Sequence, residues 1–126
     1  MTDEEMRIAI AEACGWKKPD DPEVMKFKVG WTSAEKWWMC PGGVLRLKHD
    51  IPDYLNDLNA MREAESCFVG DASKAMTYAM HLLRTCRLSI ASEYDELNVD
   101  YCWHACHATA RQRAEAFLKT FNLWKD

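Results

Sequence analysis

Trp37-Trp38-Met39-Cys40-Pro41-Gly42-Gly43-Val44-Leu45-Arg46-Leu47 is the stretch that decides the fold class. Two β-prone runs flank a Pro-Gly-Gly turn, and glycine accepts the positive φ that a tight hairpin loop demands. The segment predicts a β-hairpin in a chain that otherwise reads mostly as helix. Successive strand residues point to opposite faces, so Trp37 and Trp38 cannot both enter one core. One of them is expected to be exposed or covered by a partner, as suits an interface or a stacking platform. The competing expectation is that a helix covers the second face.

Working outward from the hairpin, Thr2 and Glu5 form a capping box, and Met6, Ile10 and Ala13 follow at helical spacing until Gly15. This predicts a first helix over 3–14. Residues 17–22 hold two prolines and two aspartates and read as a loop. Residues 24–29 can be extended, ending at Gly30. Downstream, Asp50-Ile51-Pro52-Asp53 opens a helix over 52–66, with Leu55, Leu58 and Met61 as its apolar stripe. Cys67 to Gly70 reads as a short extended link or strand. Asp71 or Ser73 caps a third helix through Ala75, Met76, Ala79, Met80 and Leu83. Residues 87–91 read as a strand, 92–98 as a loop, and 99–103 as either strand or helix. A last helix covers 105–121, with Asn122 at its C-terminal end. The order implies an α+β fold in one domain over residues 1–126: a small mixed or antiparallel sheet of three to five strands packed with helices, like an α/β/α sandwich.

Nearly half of the 126 residues are hydrophobic, enough to bury a core, and the net charge is −4. That balance argues against a duplex nucleic-acid binder, which carries a basic footprint. The acidic start, Thr2-Asp3-Glu4-Glu5, lacks the basic region of a secretory leader, and no apolar run approaches membrane-spanning length. A cytoplasmic protein with reduced thiols is expected, although its six cysteines are even in number.

Cys102-Trp103-His104-Ala105-Cys106-His107 offers sulfur and imidazole at helical spacing, the donor types zinc takes. A structural zinc site needs a second ligand pair, and no Cys-x-x-Cys occurs anywhere. The favoured reading is a helix start whose cysteines and Trp103 face the core, with no metal and no cofactor. Thiol catalysis at Cys102 or Cys106 would need a facing histidine, which sequence neighbours seldom provide. The carboxylates match no metal loop or acid/base pattern, and no phosphate-binding glycine motif occurs. The chain therefore reads as a binding protein and not an enzyme.

The arginines give that reading a location. Arg111 and Arg113 sit near the start of the last helix beside Thr109 and Gln112, and Arg84 and Arg87 bracket Cys86. A guanidinium grips phosphate with a planar fork, and a helix N-terminus adds N–H groups. Arg111 and Arg113 are two residues apart and diverge on a helix. One is expected to bind while the other pairs with Glu115 or stays solvated. Each alone is an ordinary surface arginine unless the fold turns it inward.

The segments Ile8 to Trp16, Ile51-Pro52-Asp53-Tyr54-Leu55-Asn56-Asp57-Leu58-Asn59-Ala60-Met61 and Ala108-Thr109-Ala110-Arg111-Gln112-Arg113-Ala114-Glu115-Ala116-Phe117-Leu118, with Trp124, resemble small phage proteins of the phage ABA sandwich domain type. The resemblance covers the first, second and last helices, and residues 67–100 do not take part in it. It implies a sheet between helices and a phage or prophage origin, hence the cytoplasm of an infected bacterium. It further suggests kinship with anti-Thoeris sponges, homo-oligomers that sequester cyclic ADP-ribose-type signals. On that analogy Arg111 and Arg113 would contact phosphate, and Trp37, Trp38 or Tyr54 would stack on a base or line an interface. The expected function is sequestration of a cyclic nucleotide or cyclic ADP-ribose-type immune signal. The alternatives are a protein–protein inhibitor of a host defence effector, acting through exposed Trp residues and acidic patches, and a small zinc or thiol enzyme at Cys102 to His107.

Overall fold

Helix α1, Asp3–Ala13, begins where Thr2 leaves helical geometry and its hydroxyl accepts from the Glu5 N–H, while Glu5 reaches back to the Thr2 N–H at 2.6 Å. It ends at Gly15, whose φ of +97° no residue with a Cβ adopts comfortably. Both ends are as the sequence predicts. The computed structural model describes residues 1–18, 37–86 and 107–126.

The hairpin forms as read, from β1, Trp37–Met39, and β2, Leu45–Leu47, paired antiparallel with Trp38 opposite Arg46. Its loop is Pro41-Gly42-Gly43: the Gly43 N–H donates to Cys40 O, the Cys40 N–H donates to Val44 O, and only Gly43 takes positive φ, +78°. That is the three-residue hairpin loop with glycine in the left-handed position. Lys17 adds a backbone bridge to Met39, with N–H···O distances of 3.0 and 2.9 Å. A segment expected as loop thus meets the sheet edge at one residue.

The described residues contain two strands rather than the expected three to five, together with four α-helices. The fold is mixed α+β. The strands expected over 24–29 and 87–91 lie outside the described residues, as do Trp31, Arg87 and the segment 99–103.

The second helix is shorter than its apolar stripe suggested. Helix α2 is Leu58–Glu65, and its cap is Asp57, whose carboxylate accepts from the N–H groups of Asn59 and Ala60. Residues 52–57 form turns instead, closed by the Asp57 N–H to Asp53 O bond at 2.8 Å and by the Asn56 amide on the Asp53 carboxylate. Pro52 therefore does not open a helix. Asp57 competes better for the free donors of a helix start. Leu55 still buries, but from a turn.

Cys67 is neither link nor strand. It lies in a 3₁₀ turn, Ser66–Phe68, and Gly70 at φ +88° turns the chain into helix α3, Ala72–Cys86. Asp71 caps α3 through the Lys74 N–H. Helix α4, Ala110–Thr120, starts later than residue 105 because Thr109 and Gln112 form a second capping box. Asn122, at φ +57°, ends it.

The core joins all four helices and the hairpin. Met6, Ile10, Trp38, Met61, Phe117 and Leu118 are at most 2% exposed. Phe68 links the layers: its ring lies 4.9 Å from Tyr78, 5.4 Å from Phe117 and 5.6 Å from Phe121. Helices α3 and α4 make the most extensive pairing and hold this cluster between them. No helix among the described residues is long and apolar enough to cross a membrane.

Candidate functional site

The residues singled out in the sequence separate into three places. Trp38 is 1% exposed and Tyr54 is 3% exposed, so both are core side chains. Neither presents a ring face on which a base could stack. Burial pushes the Tyr54 phenol up; the neighbouring Cys14 adds to this, and the Trp16 indole works against it. The Trp37 ring is half-buried on the other face of β1, and the indole nitrogens of both Trp37 and Trp38 are buried without a hydrogen-bond partner among the described residues. Lys18 Nζ lies 5.6 Å from the Trp38 ring centroid. The hairpin thus supplies core, with its tryptophans alternating as the pleat requires.

Arg111 and Arg113 also part company. Arg113 turns inward, its side chain 11% exposed, and donates to both oxygens of Glu65 at 3.0 and 3.2 Å. The Tyr78 hydroxyl donates to the same Glu65 carboxylate, and Arg113 Nε donates to Ala108 O. Burial works against the Arg113 charge, but Glu65 outweighs it and raises the pKa. The Tyr78 phenol is pushed up, first by burial and then by its bond to Glu65. This trio ties α2, α3 and α4 together.

Arg111 turns outward, its side chain 56% exposed, and grips Asp3 through two hydrogen bonds of 2.6 and 3.2 Å. The Arg111 guanidinium holds the Asp3 carboxyl below its usual range. Neither arginine takes Glu115, which instead accepts from Lys119 one helical turn on.

Arg111 lines a cleft of about 320 Å³ with Thr109, Gln112, Trp124 and Lys125, closed on one side by Met1 and Met6. The chain ends meet there, the Met1 amine donating to Lys125 O at 3.3 Å. The half-buried Trp124 is held on both sides: Lys119 Nζ is 5.5 Å from its ring, and its indole N–H donates to Asp126. Opposite in sign are Glu115 and Asp126 in the same lining. The cleft therefore combines a planar cation, an ammonium, an indole and the capped start of α4. Among the described residues that line it there is no hydroxyl–imidazole or thiol–imidazole pair.

Sequence reasoning singled out Arg111 beside Thr109 and Gln112 and did not bring Trp124 and Lys125 to them. Thr109 and Gln112 were legible, because Thr-x-x-Gln is a capping-box pattern. Trp124 and Lys125 carried no local signal, since only the return of the C-terminal segment toward α1 brings them to Arg111.

Arg7 was not singled out at all. It donates to Ile51 O at 3.1 and 2.6 Å, to Lys48 O at 2.9 Å and to Pro52 O at 3.3 Å, while pairing with Glu4. It staples the 3₁₀ turn Lys48–Asp50 to α1. Although clefts open on either side of it, with His49 in both linings, its donors are spent on backbone carbonyls.

Cys102, His104 and Cys106 lie outside the described residues. Among the described residues no group of three histidine, cysteine or acidic side chains could hold a metal ion. The thiols of Cys14, Cys67 and Cys86 are all pushed up by burial, Cys14 to about 12, the reverse of thiol activation. Comparison of the chain with known protein families, curated proteins and solved structures finds no match.

Proposed function

We propose that the protein is a non-catalytic binding protein that takes up a small phosphate-bearing ligand of nucleotide type in the cleft at the start of α4. The observation that carries this reading is the convergence of Arg111, Lys125 and Trp124 on one cleft. A guanidinium and an ammonium suit a phosphate, and an indole suits a base or ribose face. The cleft volume, about 320 Å³, is at the small end for ligand sites. Among the described residues Arg111 is held by an exposed carboxylate, and exposed ion pairs contribute little. A phosphate can displace Asp3 at small cost. Arg113 stands outside this site, committed to Glu65.

The narrower reading is that a phage-encoded homo-oligomer sequesters a cyclic nucleotide or cyclic ADP-ribose-type immune signal in the bacterial cytoplasm. Its support is the resemblance of the helix segments, and the cleft is compatible with it. The inhibitor alternative acting through Trp37 and Trp38 has less behind it, because Trp38 is 1% exposed.

Native mass spectrometry against a panel of cyclic nucleotides, ADP-ribose derivatives and inorganic phosphate tests the proposal. The expected result is a stoichiometric adduct with one nucleotide class, released chemically unchanged on denaturation. Arg111→Ala should weaken it about tenfold or more, as loss of a charge-assisted bidentate contact does. Asp3→Asn should tighten it by freeing the guanidinium. No adduct with any member, or a ligand returned chemically altered, would sink this reading.

A further inference from the structure

Helix α4 carries a row of alternating charge beside the cleft. Arg111, Glu115 and Lys119 follow one another at four-residue spacing, so each stands about 6 Å along the axis from the last. Arg111 and Glu115 line the cleft, and Lys119 Nζ lies 5.5 Å from the ring of Trp124, which lines it too. The Glu115 side chain is 25% exposed. Lys119 donates to its Oε1 at 2.5 Å and so fixes the carboxylate, while Oε2 has no bond among the described residues. Bonds to Asp3 raise the Arg111 pKa first, and the Glu115 charge adds to this from one turn on. Asp126, also in the lining, accepts from the Trp124 indole. From Arg111 to the level of Lys119 the axis rises about 12 Å. Along that length the order is guanidinium, carboxylate, indole.

We infer that this order selects a ribonucleotide carrying one phosphate, with Glu115 accepting from the ribose 2′-hydroxyl. The inference rests on the nucleotide reading of the cleft and adds to it which members of the class fit. A nucleotide holds its ribose between phosphate and base. Phosphate on Arg111 and base against Trp124 therefore bring the sugar to the level of Glu115. A carboxylate is a strong acceptor for a hydroxyl, and an acidic side chain on a ribose 2′-hydroxyl is a recurrent way of reading that sugar. The same negative charge works against a second phosphate. Arg111 and Lys125 balance one phosphate dianion, whereas a second phosphate would lie toward Glu115 and Asp126 and meet like charge. The cleft volume, about 320 Å³, points the same way. Single-phosphate cyclic nucleotides fit this order, and ligands of the diphosphate-bearing ADP-ribose type are disfavoured by it.

Isothermal titration calorimetry at neutral pH tests this. The probes are the common ribonucleosides as 5′- and 3′,5′-cyclic monophosphates, their 5′-diphosphates and their 2′-deoxy 5′-monophosphates. For the preferred base, the 5′-monophosphate should bind about tenfold tighter than its 2′-deoxy form, the effect of one hydrogen bond to a charged group. It should bind about threefold or more tighter than the 5′-diphosphate. Glu115→Ala should remove both preferences: the ribose form falls to the level of the 2′-deoxy form, whose own affinity does not drop, and the diphosphate draws level. Glu115→Gln keeps an acceptor of the same size without the charge. It should lose the preference against the diphosphate and retain part of the preference for ribose. Circular-dichroism melts check that both variants fold, and Glu115→Gln carries the test if Glu115→Ala does not. Equal binding of the 2′-deoxy form, or tighter binding of the diphosphate, overturns this inference and leaves the nucleotide reading standing. Preferences that persist in both variants overturn the role of Glu115. A wild-type chain that binds none of these probes overturns the inference and the nucleotide reading together.

Discussion

Arg111 and Arg113 stand two residues apart on one helix and have different fates. A step of two residues turns a side chain by about 200°, so one faces the chain ends and the other the seam between α2, α3 and α4. Arg113 is 11% exposed and shares Glu65 with Tyr78; Arg111 is 56% exposed and holds Asp3. The geometry of both pairs is good, yet the surroundings decide what each does. In the seam, water cannot replace a lost partner, so each member of the trio depends on the others. At the cleft, water or a ligand can replace Asp3 readily. The seam is built to hold the fold, and the cleft retains a guanidinium that can change partners.

The largest expected effect breaks the seam at its apolar centre. Phe117 is fully buried against Phe68 and Phe121. Phe117→Ala should cost about 3–5 kcal/mol in chemical denaturation. A loss below about 1 kcal/mol would mean the cluster collapses around the void and does not define the seam.

Next comes the polar half of the seam. Glu65→Ala leaves Arg113 and the Tyr78 hydroxyl without their shared acceptor and should cost about 2–3 kcal/mol. Glu65→Ala combined with Arg113→Ala should recover part of that loss, because no charge is then stranded. If the double variant is worse by the full sum of the two singles, the trio is not a coupled unit.

Alkaline pH should weaken the same region. The Tyr78 phenol is neutral in the fold and its pKa is raised above the ordinary value of 10. A raised pKa leaves its contribution intact below the unfolded value and removes it as pH climbs above that value. Tyr54, also raised, and Cys14, raised from 9 to about 12, act in the same direction. The denaturation midpoint should therefore fall steadily above about pH 9, and Tyr78→Phe should flatten the slope above about pH 10. An unchanged slope in that variant would place the alkaline loss at Tyr54 and at the raised thiols Cys14, Cys67 and Cys86 instead.

The smallest effect belongs to the cleft. Asp3→Asn should leave the denaturation midpoint within error, since its side chain is 64% exposed. A clear drop would show that the Arg111 pair is structural after all and would erase the contrast between the two arginines.

How far the fold could be read in advance differs from element to element. The first helix, the hairpin and the end of α4 were legible because their signals are local: Thr2 with Glu5, Gly15, Pro41-Gly42-Gly43 and Asn122 each act within a few residues of themselves. The cap of α3 was narrowed to Asp71 or Ser73, and the bond from the Lys74 N–H goes to Asp71. The start of α2 was misplaced because two aspartates and a proline compete there, and only the bonds formed show that Asp57 prevails. The site was legible only as a pair of arginines beside the Thr109–Gln112 cap. Nothing near Arg113 in the chain announces Glu65, which lies 48 residues away, and nothing near Arg111 announces Asp3, 108 residues away.

The opening hairpin shows where that boundary falls. Its turn, register and the alternation of Trp37 and Trp38 follow from short-range backbone geometry, so the residue order was enough to determine them. Which tryptophan is buried was not determined there, because burial depends on what the rest of the chain packs against each face. The tertiary structure put Trp38 at 1% exposure and Tyr54 at 3%, and so removed both from any surface. It also sent one arginine into the seam and the other to the cleft. Local chemistry is written in neighbours along the chain, whereas the partners that give a side chain its role are brought to it only by folding.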